Sequence, residues 1–199
     1  MKSLKIDNGL IGEVVIPGDK SISHRSVIIP SISKGVSEIS NILMSEDVKN
    51  TIKAFELLGV KIKKFKTKIK IYGKGLNSLK KPKKTIYLGN SGTSARLLIG
   101  LLASQSFDSF LTGDKSLSNR PMGRITDPLK SMNAKIQTNN GKLPIKIYGS
   151  ELLNKNHKIK IPSAQIKSGL LLAALNTKGE TTINEANITR DHSEIMLKS

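Results

Sequence analysis

The sequence predicts an α/β fold that is built from a repeated β-α-β-α-β-β unit. Three turns that lead from a strand into a helix contain Lys20, Gly92 and Ala164, which are separated by 72 residues each time. A second set of helices recurs in nearly the same phase, beginning near Ser45, Asn119 and Asp191. Isoleucine and lysine alternate in segments such as 68–72, as expected for half-buried strands. A fixed period of this kind is typical of an internal repeat.

The first unit follows a predicted pair of strands within residues 4–16, which turn at Asn8-Gly9 and end at Pro17. Its predicted helices are 21–32 and 45–58, and its predicted strands are 36–41, 61–65 and 68–72. The second helix has a clear start, because Ser45 can cap it and acidic residues follow in the first turn. Gly59 is a typical residue for closing it.

The second unit repeats this order, and the third begins in the same way. For the second unit we expect strands at 85–88, 108–112, 134–138 and 143–148, with helices at 94–104 and 119–132. For the third we expect strands at 157–161 and 180–184, and helices at 165–176 and from Asp191. The repeat indicates that this third unit is incomplete, lacking the end of its second helix and the following hairpin. We therefore expect a truncated or split protein.

Composition restricts the class of protein. A chain of 199 residues can bury a core of one domain or two small ones, and it contains no cysteine that could form a disulfide framework. The start of the chain lacks the apolar segment of a signal peptide, and the longest nearly apolar run, 97–103, is too short to span a bilayer. We expect a cytoplasmic protein without a membrane partner.

The net charge of +18 raises the alternative of a basic nucleic-acid-binding module. The most basic stretch is 61–84, with its repeated K-x-K pattern. Aromatic residues make up only 4% of the chain and are not interleaved with the lysines, as a stacking surface for bases requires. A solvated lysine-rich surface is the favoured interpretation, and we predict no nucleic-acid partner.

The arginines are distributed differently from the lysines. Each of the five lies in a stretch that opens a helix: Arg25, Arg96, Arg120, Arg124 and Arg190. In the turn 88–96, a glycine-rich segment ends a strand and presents free backbone N–H groups at a helix start. Guanidinium groups beside such turns favour phosphate or carboxylate ligands. The turn matches neither the Walker pattern nor the dinucleotide fingerprint, so it predicts an anion site of another kind.

Five motifs together carry a family resemblance. They are P-G-D-K-S-I-S-H-R (17–25), L-G-N-S-G-T-S-A-R-L (88–97), G-D-x-S-L-x-x-R-P-M (113–122), S-A-Q-I-K-S (163–168) and T-R-D-H-S-E-x-M-L (189–197). In this order they resemble the 5-enolpyruvylshikimate-3-phosphate synthase family, the 3-phosphoshikimate 1-carboxyvinyltransferases. The resemblance covers about the first half of the family's length. It implies an inside-out α/β domain of three units at 19–199, with residues 1–18 belonging to a second domain that is absent here.

The resemblance also implies ligand contacts. Shikimate 3-phosphate would be bound by Lys20, Ser21, Arg25, Ser163, Ala164, Gln165, Thr189 and Arg190. Phosphoenolpyruvate would be bound by Lys20, Gly92, Arg120 and Gln165. No residue of this chain is assigned as catalytic, because the family's key carboxylates lie in its second half. We therefore expect the isolated chain to be inactive, and the full-length enzyme to be a monomer.

Several points stay open at this level. A helix histidine such as His24 is more often structural than catalytic, and the three histidines show no metal-ligand spacing, so neither a metal nor a cofactor is predicted. Arg96 and Arg124 could orient the turns or contact the second domain. The alternatives are the nucleic-acid module, an inactive remnant, and an enolpyruvyl transferase acting on a UDP-sugar, which usually carries a reactive cysteine.

Overall fold

The computed structural model describes residue 9 and residues 12–199, and it shows three mixed units of helix and sheet. The helices are α1 (Lys20–Ile32), α2 (Glu46–Leu57), α3 (Gly92–Ala103), α4 (Lys115–Ser118), α5 (Gly123–Ser131), α6 (Ala164–Ala174) and α7 (His192–Lys198). The strands are β1 (Lys34–Ser40), β2 (Lys61–Lys64), β3 (Lys68–Lys74), β4 (Ile86–Tyr87), β5 (Ser109–Thr112), β6 (Lys135–Asn139), β7 (Lys142–Tyr148), β8 (His157–Ile159) and β9 (Ile183–Glu185). A short 3₁₀ helix spans Leu76–Ser78.

The repeat appears directly in the helix starts. Helices α1, α3 and α6 begin at Lys20, Gly92 and Ala164, the three positions that the 72-residue period makes equivalent. Each is capped by the residue before it, whose side-chain oxygen accepts from the backbone N–H three residues further on: Asp19, Ser91 and Ser163. The same local chemistry therefore begins each helix.

The three units share one sheet topology, which the second unit shows with four strands and the other two show in part. In the second unit the order is β4-β5-β7-β6, with β4 and β5 parallel and the other pairs antiparallel. The first unit shows the corresponding order β1-β3-β2, all antiparallel, and the third shows the parallel pair β8-β9. The described part of the first unit therefore lacks a strand equivalent to β4, and that of the third lacks the hairpin equivalent to β6 and β7.

Alternating burial explains the isoleucine and lysine pattern. Ile69 and Ile71 of β3 are buried, whereas Lys68 and Lys70 lie on the other face and pair with Glu38 of β1 at 2.6 and 3.0 Å. The lysine-rich strands thus present an ion-paired surface outward and an apolar surface to the core.

Helix α3 lies at the centre of the core. Every residue of it except Arg96 is buried, and it packs closely against α6. A Cβ on Gly100 would lie 1.9 Å from the carbonyl oxygen of Gly169, so glycine is required where the two helices approach. This close packing places the starts of α3 and α6 side by side.

Two predicted elements differ in the structure. The predicted helix 119–132 is wrong at its start, because α4 ends at Ser118 and α5 begins only at Gly123. Pro121 lies between them, and a proline disfavours helical conformation in the residue before it. Ser45 does precede α2, but its hydroxyl makes no capping hydrogen bond.

The strand predicted to end at Pro17 does not form. Residues 13–19 are irregular, and Val14, Val15 and Ile16 are 85%, 90% and 75% exposed. A strand needs a partner for its backbone N–H and C=O groups, and these residues pair with no described segment. The predicted strand before the turn at Asn8-Gly9 lies outside the described residues.

Candidate anion-binding site

The first turns of α1, α3 and α6 meet at one place, which we call the anion cradle (residues 20–25, 92–96 and 163–168). Gln165 Nε2 donates to Thr93 Oγ1 at 3.1 Å, which joins α6 to α3. Arg25 Nη2 donates to Ser168 Oγ at 2.7 Å, which joins α1 to α6. His24 Nε2 lies 3.3 Å from Ser91 Oγ, which joins α1 to α3. The three turns that the sequence analysis singled out therefore form one site.

Gly92 lies under two guanidinium groups. A Cβ placed on it would be 2.7 Å from Arg96 Nη1 and 3.0 Å from Arg120 Nη1. Arg120 is held in place by donating to Asn90 Oδ1. The backbone N–H groups at the start of α3 and two arginine side chains thus converge where only a glycine leaves room, an arrangement suited to a phosphate group.

Arg96 and Arg124 both orient the cradle from within this chain. Arg96 Nη1 donates to Gly92 O and to Gln165 Oε1, each at 3.1 Å. Arg124 Nη2 donates to Ile161 O at 2.8 Å, just before α6. The role that the sequence left open for these two residues therefore includes positioning of the turns.

The electrostatics of the cradle favour an anion. Burial lowers the pKa of Arg96, and the nearby positive charges of Arg120 and Arg124 lower it further. Burial likewise lowers the pKa of Arg25, with Arg190 as the next cause. Like charges held this close repel one another, and a bound phosphate or carboxylate would relieve that repulsion.

Arg25 is bound to protein groups on three sides. It is 3% exposed, and it donates to Ser193 Oγ at 2.7 Å, to Ser21 O at 3.0 Å and to Ser168 Oγ. These contacts use three of the five N–H groups of a guanidinium. Its predicted contact with shikimate 3-phosphate stays a prediction, and the structure adds a second role in holding α7 against α1 and α6.

Lys20 and Thr189, which were also predicted to bind ligand, each contact a carboxylate of this chain. Lys20 is the first residue of α1, where the helix dipole disfavours a cation, and its Nζ lies 2.7 Å from Asp47 Oδ2 of α2. Its side chain is still 54% exposed, so it can reach a ligand. Thr189 Oγ1 donates to Glu185 Oε1 at 2.5 Å.

The sequence analysis missed Asp47, Thr93 and Ser94 as members of this site. Thr93 had a signal, since it is equivalent in the 72-residue repeat to Ser21 and Gln165, which were both named. Asp47 was interpreted only as a first-turn acid of α2. Its partner Lys20 is 27 residues away, a contact that only the packing of α1 on α2 creates.

A cluster of charged side chains around Lys167 is buried in the third unit. Lys167 Nζ lies 2.7 Å from Glu185 Oε2 and 2.6 Å from Glu194 Oε1, and its side chain is only 9% exposed. Hydrogen bonds from Lys167 and Thr189 hold the pKa of the Glu185 carboxyl below its usual value against the opposing effect of burial. The cluster ties β9 and α7 to α6 and so supports Ser168 and Ser193 around Arg25.

Across residues 12–199, no group of three or more histidine, aspartate or glutamate side chains is arranged to hold a metal ion. In the same part of the chain, no helix combines the length and apolar character needed to cross a membrane.

Comparison with known proteins then settles the family. The model of EPSP synthase (3-phosphoshikimate 1-carboxyvinyltransferase) matches residues 4–199. This chain belongs to the EPSP synthase family. A 3-phosphoshikimate 1-carboxyvinyltransferase of Ruthia magnifica subsp. Calyptogena magnifica is 55% identical over 196 residues, covering 98% of this chain and 45% of that protein. One from Oenococcus oeni (strain ATCC BAA-331 / PSU-1) is 48% identical over 201 residues, covering 99% and 46%.

A solved structure agrees with the family and the fold. EPSP synthase from Acinetobacter baumannii aligns with a TM-score of 0.91 at 46% identity, covering 94% of this chain and 43% of that chain. The α/β fold that the sequence predicted is confirmed. The chain spans about half the length of the curated relatives it matches.

The family match does not favour the alternative functions. Within the described residues, three lysines of the basic stretch 61–84 pair with Glu38 or Glu56, and two more lie over the ring of Tyr72. These contacts agree with the solvated surface that the sequence analysis preferred to a nucleic-acid interface. The relatives named above are 3-phosphoshikimate 1-carboxyvinyltransferases and not UDP-sugar enzymes.

Proposed function

We propose that this chain supplies the anion cradle of an EPSP synthase, and that the complete enzyme acts on shikimate 3-phosphate and phosphoenolpyruvate. The reaction transfers the enolpyruvyl group to the 5-hydroxyl of shikimate 3-phosphate and releases phosphate. Both substrates are polyanions. The observation that carries the proposal is the convergence of three capped helix starts and several arginines on one site.

The proposed contacts follow the family resemblance, and the geometry supports their division into two groups. Gly92 and Arg120 would hold the phosphate of phosphoenolpyruvate, since the guanidinium of Arg120 lies directly beside the start of α3. Gln165, which touches Arg96 and Thr93, would lie between the two ligands. Lys20, whose side chain is about half exposed although its ammonium group pairs with Asp47, would contact both ligands.

Shikimate 3-phosphate would occupy the side of the cradle formed by α1 and α6. Its proposed ligands on α1 are Ser21 and Arg25. Those at the start of α6 are Ser163 and Ala164, where the N-cap Ser163 accepts from Ile166 N. Thr189 and Arg190 complete the proposed set, and the positive charge of Arg190 contributes, after burial, to the lowered pKa of Arg25.

We also propose a domain division. Residues 19–199 would form the substrate-binding domain, and residues 1–18 would pack with the second domain of the complete enzyme. The support is the exposure of Val14, Val15 and Ile16, which leaves three apolar side chains without a covering surface among the described residues. We further propose that the complete enzyme is a monomer in the cytoplasm, a compartment that suits a cysteine-free chain.

The first test is calorimetric titration of shikimate 3-phosphate into the chain, with inorganic phosphate as the control ligand. Arg190→Gln should weaken binding by about tenfold, because it removes one charge-assisted contact. Lys83→Gln, which removes one charge from an exposed position outside the cradle, should bind like the unchanged chain. Equal binding by both variants, or equal binding of phosphate and shikimate 3-phosphate, would contradict the proposal.

The second test concerns catalysis by this half alone. Proton transfer to and from the reacting groups needs a positioned acid and base, and the resemblance places the key carboxylates outside this chain. Incubation of the chain with both substrates should therefore give no steady phosphate release. Steady release would show that this chain carries the catalytic groups itself.

A further inference from the structure

His24 lies at the centre of a buried polar network that the proposed ligand contacts do not include. The ring is fully buried in α1. Its Nδ1 is 2.8 Å from Thr51 Oγ1 of α2 and 3.2 Å from Ser94 Oγ of α3. Its Nε2 is 3.3 Å from Ser91 Oγ, the capping atom of α3. One imidazole on α1 therefore contacts two other helices, α2 and α3.

The hydroxyl groups around the ring also bind one another. Ser94 donates to Ser91 Oγ through its backbone N–H at 3.1 Å and through its hydroxyl at 2.8 Å. Thr51 Oγ1 lies 2.5 Å from Ser94 Oγ and also bonds to Asp47 O at 3.2 Å. A closed network like this holds each member in one orientation, because a buried hydroxyl or imidazole without a partner is costly.

The ring is neutral near pH 7. Burial lowers the pKa of His24 to about 4; the carboxylates of Asp47 and Asp19 oppose this effect, and the cations of Lys20 and Arg25 add to it. A neutral imidazole has one nitrogen that donates and one that accepts, which matches hydroxyl partners on both sides. It carries no imidazolium proton to give to a substrate, so the geometry favours a positioning role over general-acid catalysis.

We propose that His24 is a positioning residue for the phosphate of phosphoenolpyruvate, acting through Ser91. By holding the capping hydroxyl, the ring fixes where α3 begins, and so it fixes the N–H groups of Gly92 and Thr93 beneath Arg120. The ligand assignment rests on the function proposed above. The mechanical part, that His24 orders the start of α3, rests on the hydrogen bonds alone.

The experiment compares three variants of the chain. His24→Leu removes all three polar contacts of the ring and keeps its apolar bulk. His24→Asn keeps one donor and one acceptor. His157→Leu is the matched control, because His157 is another buried histidine, at 8% exposure, located in β8.

Two readouts are taken by NMR. The first is hydrogen exchange of the Gly92, Thr93 and Ser94 amides, measured without ligand. His24→Leu should speed their exchange by about tenfold, the usual effect of losing a helix cap, while His24→Asn stays within about threefold of the unchanged chain. In His157→Leu, the exchange rates of these three amides should stay unchanged relative to those of the other core amides. A general rise in exchange, equal in His24→Leu and His157→Leu, would overturn the proposal.

The second readout is titration with phosphoenolpyruvate, followed at the Gly92 amide. His24→Leu should bind about tenfold more weakly, and His24→Asn should recover most of the affinity. Unchanged binding by folded His24→Leu would overturn the positioning role. If the unchanged chain binds no phosphoenolpyruvate while the exchange result holds, the proposed ligand is wrong and the ordering of α3 by His24 stands.

A further variant, at the other end of the network, tests the proposal if His24→Leu fails to fold. Thr51→Val has nearly the same shape as the native residue and removes only the hydroxyl that bonds to His24 Nδ1. It should speed exchange of the same three amides, by a smaller factor than His24→Leu. Native exchange rates in this variant would overturn the network's role.

Discussion

The buried neutral His24 predicts a specific loss of stability in mild acid. Its pKa is about 4 in the folded chain, against an ordinary value of 6.5. Between these values the unfolded chain binds a proton that the folded chain does not. The free energy of unfolding therefore falls as the pH decreases from 6.5 toward 4, and the full contribution is present above pH 6.5.

The magnitude follows from the two pKa values. One pKa unit corresponds to about 1.4 kcal/mol, so the shift from 6.5 to about 4 limits the total effect to about 3–4 kcal/mol. Between pH 7 and pH 5, proton linkage gives a loss of about 2 kcal/mol. This is a large part of the net stability of an ordinary domain.

Urea unfolding at a series of pH values between 7 and 5 measures this loss. His24→Asn cannot take up the proton. Between pH 7 and pH 5 its free energy of unfolding should therefore fall by about 2 kcal/mol less than that of the unchanged chain. His157 also has a lowered pKa because of burial, so His157→Asn is the parallel variant that measures its separate contribution.

Carboxylates should contribute little within this window. The pKa values of Glu38, Glu46 and Glu185 are lowered from 4.5, so their ion pairs are intact above that value and are lost only in stronger acid. The reasoning would be refuted if the unchanged chain and His24→Asn lost equal stability between pH 7 and pH 5. That outcome would mean that the ring is protonated in the folded state.

Three further predictions concern packing and charge. Gly92→Ala should weaken phosphoenolpyruvate binding at least tenfold in a calorimetric titration, because its Cβ would lie 2.7 Å from Arg96 Nη1 and displace a guanidinium. Lys167→Met should lower the free energy of unfolding in urea by about 3 kcal/mol, since it leaves two carboxylates without their buried cation. Gly100→Ala should lower the melting temperature through a loss of about 1–3 kcal/mol by forcing α3 away from α6, whereas an alanine at exposed Gly12 should not.

Much of the secondary structure could be predicted because its signals are local. A cap residue, a glycine turn and an alternating apolar pattern each act within a few residues, so the starts of α1, α3 and α6 and the strands β3 and β7 were visible in the sequence. The split between α4 and α5 was missed, although Pro121 was a local signal for it. The family too was accessible, since five ordered motifs carry it.

The strand before Pro17 shows where local reasoning ends. Val14 and Val15 are residues that favour strands. A strand forms, however, only when a neighbouring segment pairs with its backbone N–H and C=O groups. Composition and alternation describe one side of that pairing. They do not say whether the other side is present.

The sequence by itself determined the 72-residue repeat, the turns at Lys20, Gly92 and Ala164 that lead into helices, and the placement of arginines beside them. Only the tertiary structure decided which side chains meet. Arg25 and Ser193 are 168 residues apart, and His24 and Ser94 are 70 residues apart, yet each pair forms a buried hydrogen bond. Caps depend on residues adjacent in the chain, whereas these contacts depend on how packed helices bring distant segments together, and no local pattern encodes that geometry.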